Sequence, residues 1–121
     1  MNAKIRNILF PTDFSSTARE AQQYAMELVE KFGATLHLLH VVPEVIMPLP
    51  DSSTSWTIPE ANIHQHIEDA NKQLLREVGE TWAGSHQVQR TTTFGFVVDE
   101  IVKYAKEHEI DLIVLGTHGR T

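Results

Sequence analysis

Residues 111–121 read DLIVLGTHGRT. Leu112 to Leu115 is an unbroken aliphatic run, and it stops at Gly116-Thr117-His118-Gly119-Arg120. An apolar run bounded by glycine predicts a strand buried on both faces, a central strand of a parallel sheet. Two glycines three apart let the backbone turn sharply and approach a ligand closely. Exposed amides in such a loop, with Arg120 beside them, suit an anion such as phosphate.

The remaining segments alternate in type. Ile5 to Phe10 predicts a short strand stopped by Pro11, and Thr12-Asp13-Phe14-Ser15-Ser16 a polar turn. Ser15, Ser16 and Thr17 all offer N-cap oxygens, Thr17 and Glu20 have capping-box spacing, and apolar residues at Ala18, Ala21, Ala25, Leu28, Val29 and Phe32 give a helix ended by Gly33. Thr35 to Val42 predicts a second buried strand, closed by Pro43. Residues 44–59 carry prolines and a Ser/Thr cluster and read as a long irregular loop, with Trp56 anchoring it. From Glu60, Ile63, Ile67, Ala70, Leu74, Leu75, Val78 and Trp82 predict one long amphipathic helix ending near Gly84, with Trp82 in the core. Gln87 to Phe94 alternates and predicts a half-exposed edge strand with Arg90 facing solvent; Gly95 ends it. Val97 to about His108 is a further helix.

This order, β-α-β-α-β-α-β, predicts a doubly wound α/β fold: a parallel sheet with helices on both faces, in a single domain over residues 1–121. Such sheets bind ligands at the carboxyl ends of their strands, where chain order reverses. The loop signals after strands one and four meet over one crevice if those strands are neighbours, giving strand order 3-2-1-4. Asp13 can then accept hydrogen bonds from ribose hydroxyls, and the end of strand two, at Val41 and Val42, offers apolar surface and amides for a base. Gly95 ends a strand on the same rim.

Three motifs in this order resemble the universal stress protein family: Pro11-Thr12-Asp13-Phe14-Ser15 after the first strand, His40-Val41-Val42-Pro43, and Asp111 to Arg120. The resemblance implies an adenine nucleotide alpha hydrolase-like, Rossmann-like sandwich, often homodimeric, with many members binding ATP and others not. Carried over, Pro11, Thr12 and Asp13 line an adenosine site, Val42 meets adenine through its backbone, and Leu115, Gly116, Thr117, His118, Gly119 and Arg120 form the loop under ribose and phosphates. The family motif continues past a second glycine to a Gly-Ser or Gly-Thr, whereas this sequence keeps Gly116 and Gly119 and stops two residues later. The family's fifth strand and fourth helix are missing from it too. The sequence is then either a truncated product or part of a longer protein. In the first case strand four is an unpaired edge, self-association is expected, and ATP binding is weak or absent.

Other chemistries lack their signatures. No Walker loop, GxGxxG loop or GxSxG elbow is present. Asp13 stands alone where a phosphoacceptor domain would want an acidic pair, and His118 reads as a donor or bystander. Catalysis is therefore expected to be slow ATP hydrolysis at most. His64 and His66 do not share a helix face, and His37 and His40, three apart on a strand, point oppositely, so no resident metal site is expected. Magnesium would arrive with the nucleotide. A net charge of −6 argues against nucleic-acid and anionic-membrane partners. Without cysteine there is no disulfide framework. The start, MNAKIRNILF, has too short an apolar stretch for a signal peptide, and a cytoplasmic location is expected. Two readings remain: an ATP-binding regulatory module of the stress response, or a dimeric interaction scaffold that binds no nucleotide.

Overall fold

A computed structural model describes residues 4–44, 46–48, 55–57 and 60–116. Its main sheet has four parallel strands: β1 (Asn7–Pro11), β2 (Thr35–Pro43), β5 (Val88–Gly95) and β6 (Leu112–Ile113). Their spatial order is β5-β2-β1-β6, the 3-2-1-4 arrangement expected if the loops after strands one and four meet over one crevice. Helix α1 (Ser16–Phe32) follows β1, α2 (Glu60–Arg76) and α3 (Glu80–Ser85) precede β5, and α4 (Val97–Glu107) joins β5 to β6.

Strand pleating sorts the side chains into two cores. Ile8, Phe10, Leu36 and Leu38 point to one face, where they meet Ala18, Ala25 and Val29 of α1 and Leu74 of α2. Leu9, Leu39 and Val41 point the other way, against Tyr104, Ile101 and Ala105 of α4. Both faces of β1 and β2 are thus covered, which is why these strands read as nearly continuous apolar runs. The start of α1 is fixed by Ser15, whose hydroxyl accepts from the Ala18 amide at 3.1 Å, and its end by Gly33, left-handed at φ 64°.

Four expectations are corrected. Residues 44–59 are not wholly irregular: β3 (Ile46–Pro48) and β4 (Ser55–Thr57) pair antiparallel. The anchoring expected of the Trp56 side chain lies outside the described residues. The long helix is broken in two, because Val78 and Gly79 take φ 62° and 76°. With its amide turned to suit both partners, Gln22 of α1 donates to Glu77 Oε2 at 2.8 Å and accepts from the Val78 amide at 3.2 Å, clamping this turn against the body. Arg90 does not face solvent. Its Nε donates to the Leu74 carbonyl at 2.8 Å, which also accepts from the Glu77 amide at 3.1 Å, and its Nη2 to the Glu77 carbonyl at 3.3 Å, tying β5 to the end of α2. Trp82 is partly buried against the core and donates from its indole nitrogen to Glu30 at 2.9 Å.

The fourth correction concerns β6. It is not a buried central strand: Ile113 is 39% exposed and Leu115 54%. Among the described residues β6 pairs with β1 alone, so one of its edges and part of its apolar face stay open.

Candidate functional site

At the carboxyl ends of β1 and β2 lies a cavity of about 290 Å³. Its walls come from five places in the chain: the turn Pro11-Thr12-Asp13, Ala18 at the start of α1, Leu39 to Val41 with Pro43 on β2, Val97 and Ile101 on α4, and Leu115-Gly116 after β6. The position is the switch point of the sheet, where β2 lies to one side of β1 and β6 to the other. The volume is at the lower end of the range, ~300–1,000 Å³, typical of small-molecule pockets.

Two features bring the distant loops together. The Val114 amide donates to the Leu9 carbonyl at 2.9 Å, so pairing with β1 continues one residue past β6. Gly116 then runs directly against α1: a Cβ there would lie 3.0 Å from the Thr17 carbonyl oxygen and 3.1 Å from the Ala18 Cα. A side chain there would press on the backbone of α1, so the absence of one eases this close approach.

The β1–α1 turn is tightly held. The Thr12 amide donates to the Leu39 carbonyl at 2.8 Å as β1 leaves the sheet. Thr12 Oγ1 accepts from the Phe14 amide at 3.0 Å, and Asp13 Oδ1 accepts from the Ser15 amide at 2.9 Å. Phe14 takes φ 65°, a conformation that costs a bulky L residue ~1–3 kcal/mol unless its surroundings impose it. Thr12 is buried, while Asp13 is exposed at the cavity mouth. The site thus combines apolar walls (Leu39, Val41, Val97, Ile101, Leu115) with a carboxylate and polar backbone at one end. Such a cavity suits a flat apolar-faced ring carrying hydroxyl groups, and the short stretch of α1 near Ala18 presents the positive end of a helix without acidic side chains in its first turn.

Of the residues selected from the sequence, Pro11, Thr12, Asp13, Leu115 and Gly116 surround this cavity. On β2 the Val41 side chain lines the cavity, while the Val42 side chain borders a shallower depression of about 250 Å³ with Phe14, His66 and Asp69, because adjacent residues on a strand face opposite sides; the contact expected of Val42 is through its backbone, which the direction of its side chain leaves open. Gly95 is not on the cavity wall; its carbonyl accepts from the Glu44 amide at 2.8 Å, continuing the pairing of β2 with β5 to the end of both strands. Thr117, His118, Gly119 and Arg120 lie outside the described residues. Leu39, His40, Pro43, Val97 and Ile101 were not selected. Alternation along β2 could have indicated Leu39, but Val97 and Ile101 arrive only through the packing of α4.

His37 and His40 do point to opposite faces. His37 is 3% exposed beneath α4, and His40 stacks on Phe14 with ring centroids 4.5 Å apart. Among the described residues no three histidine, aspartate or glutamate side chains gather into a cation site. Among them, too, no helix is long and apolar enough to cross a membrane.

The model of the universal stress protein family matches residues 4–121. A universal stress protein of Methanocaldococcus jannaschii is 29% identical over 131 aligned positions, spanning all of this chain and 74% of that protein. The solved universal stress protein UspA from Lactobacillus plantarum superposes with a TM-score of 0.72 at 29% identity, covering 98% of this chain and 83% of that one. A universal stress protein solved in complex with cAMP shares the fold at 20% identity, with a TM-score of 0.56 over 92% of this chain and 71% of that one. With a family match over nearly its whole length, and a solved protein of that name superposing on 98% of it, the chain belongs to the universal stress protein family.

Proposed function

We propose that this protein is a nucleotide-binding regulatory module of the stress response, taking the adenosine part of ATP into the cavity at the ends of β1 and β2. The observation that carries the reading is the meeting of the Pro11–Asp13 turn and Leu115-Gly116 over one apolar-walled space. The residues fit the ligand. Leu39, Val41, Val97 and Ile101 give a purine two apolar walls, and the Asp13 carboxylate at the mouth is an acceptor for ribose hydroxyls. Gly119 and Arg120 are the residues proposed to serve the phosphates, with magnesium accompanying them. The cAMP-bound relative carries an adenine nucleotide on this same fold.

Bound nucleotide supplies a charged, hydrogen-bonding group that ties the β1–α1 turn to the segment after β6. Joining these two segments makes the state of the rim depend on nucleotide, which is the behaviour of a regulator. Turnover is expected to be slow at most, the role being regulatory.

The direct test is calorimetric titration with adenosine and with ATP. Adenosine is expected to bind, and Asp13→Ala to weaken it roughly 10- to 100-fold, the equivalent of one charge-assisted hydrogen bond at ~1.5–3 kcal/mol. An unchanged affinity in Asp13→Ala would mean that the ligand sits elsewhere.

Self-association is a second proposed property. It is favoured by exposed apolar side chains at the start of α4 (Phe96, Val97, Val98) together with Ile113 and Leu115 near the open edge of β6. A homodimer would cover this surface.

A further inference from the structure

His40 makes two contacts with the ligand-facing turn from a different strand. Its Nδ1 lies 2.7 Å from the Thr12 carbonyl oxygen. A carbonyl only accepts, so this nitrogen carries the proton and donates. Its ring also lies against Phe14, centroids 4.5 Å apart and planes 28° from parallel. Phe14 is the residue in the left-handed conformation. The hydrogen bonds from the Phe14 and Ser15 amides to Thr12 and Asp13 are local to the turn. Local bonds shape a turn but travel with it. Bonds to another element fix where it stands relative to the cavity, and His40 supplies a hydrogen bond and a stacked ring of that kind.

We infer that His40 is a positioning residue of the nucleoside site: by holding the Thr12 carbonyl and the Phe14 ring it sets where the Asp13 carboxylate points. This rests on the reading of the cavity as a nucleoside site, but its geometric half is testable without ligand. His40 also borders the cavity itself and the depression behind it, so displacing its ring changes both.

The experiment compares His40→Phe, which keeps a flat ring for Phe14 and removes the donor, with His40→Asn, which keeps an N–H donor and removes the ring. In amide-resolved NMR spectra of the ligand-free protein, His40→Phe is expected to shift Asp13, Phe14 and Ser15 while Leu9 and Leu36 stay in place. Its adenosine dissociation constant should rise about tenfold, and His40→Asn should recover part of that loss. Unmoved turn amides would overturn the inference, as would moved amides with unchanged adenosine affinity, or shifts spread across the whole sheet. If the unaltered protein fails to bind adenosine, the nucleotide reading falls, and the turn amides alone decide whether His40 holds the turn.

Discussion

His37 shows how a single buried residue makes stability depend on pH. Asn7 Nδ2 donates to the Glu109 carbonyl at 3.4 Å, which turns Asn7 Oδ1 toward His37 Nε2 at 3.0 Å. Nε2 therefore carries the proton, and Nδ1 accepts from the Tyr104 hydroxyl at 2.7 Å. His108, stacked on Tyr104 with centroids 3.8 Å apart, lies edge-on to the His37 ring. Burial, and secondarily the nearby His108, lower the His37 pKa from its ordinary 6.5. The unfolded chain then binds a proton that the folded chain resists. This contribution to stability is complete above pH 6.5 and is lost as pH falls toward the folded value. Asp111, whose carboxylate is held low by hydrogen bonds from the Arg6 and then the Asn7 amides, acts below its ordinary 3.8 and leaves that window clear. Denaturant midpoints measured between pH 7.5 and 5.5 should fall in the native protein and fall less in His37→Gln. Parallel slopes for the two proteins would rule His37 out as the source.

At the scale of elements, the decisive joint is between α2 and α3. The apolar spacing from Ile63 to Trp82 is helical throughout and gives no sign of a break. Gly79 takes φ 76° and ψ 149°, a region almost closed to other residues, and leads into α3 as its N-cap. No atom lies within 4 Å of where its Cβ would be, so the obstacle to a side chain is the backbone alone. Gly79→Ala is therefore expected to destabilise the fold by ~1–3 kcal/mol, read from thermal or denaturant unfolding. A neutral effect would mean that the turn relaxes into a continuous helix, the arrangement the spacing alone suggests. The joint also explains Arg90: where α2 stops, the guanidinium on the neighbouring strand reaches the carbonyls at its end.

For the molecule as a whole, the open apolar surface is the feature with a consequence in solution. Val98 is 71% exposed and Leu115 54%, and Phe96 and Ile113 are exposed as well. Sedimentation at increasing concentration should show a dimer or larger species, and Val98→Glu with Leu115→Glu should shift it toward monomer. A monomer at all concentrations would end the proposal of self-association without touching that of the nucleotide site.

How far these features could be read in advance differs from one segment to the next. Alternation of apolar runs with helical spacing was enough for the parallel sheet, because strands buried on both faces and crossover helices each leave a period in the residues, and the loop signals after strands one and four pointed to the 3-2-1-4 order. The Pro11–Asp13 turn and Gly116 were legible as well, since proline and glycine report backbone demands directly. Tertiary structure alone brought Val97 and Ile101 to the cavity wall from α4 and broke the helix at Gly79. It also turned Arg90 inward and set His40 against the turn. Each of these depends on which neighbour a side chain meets across tens of residues, and local periodicity carries no record of that. The sequence by itself determined which segments pair and where the rim must bend; packing decided which atoms face the space they enclose.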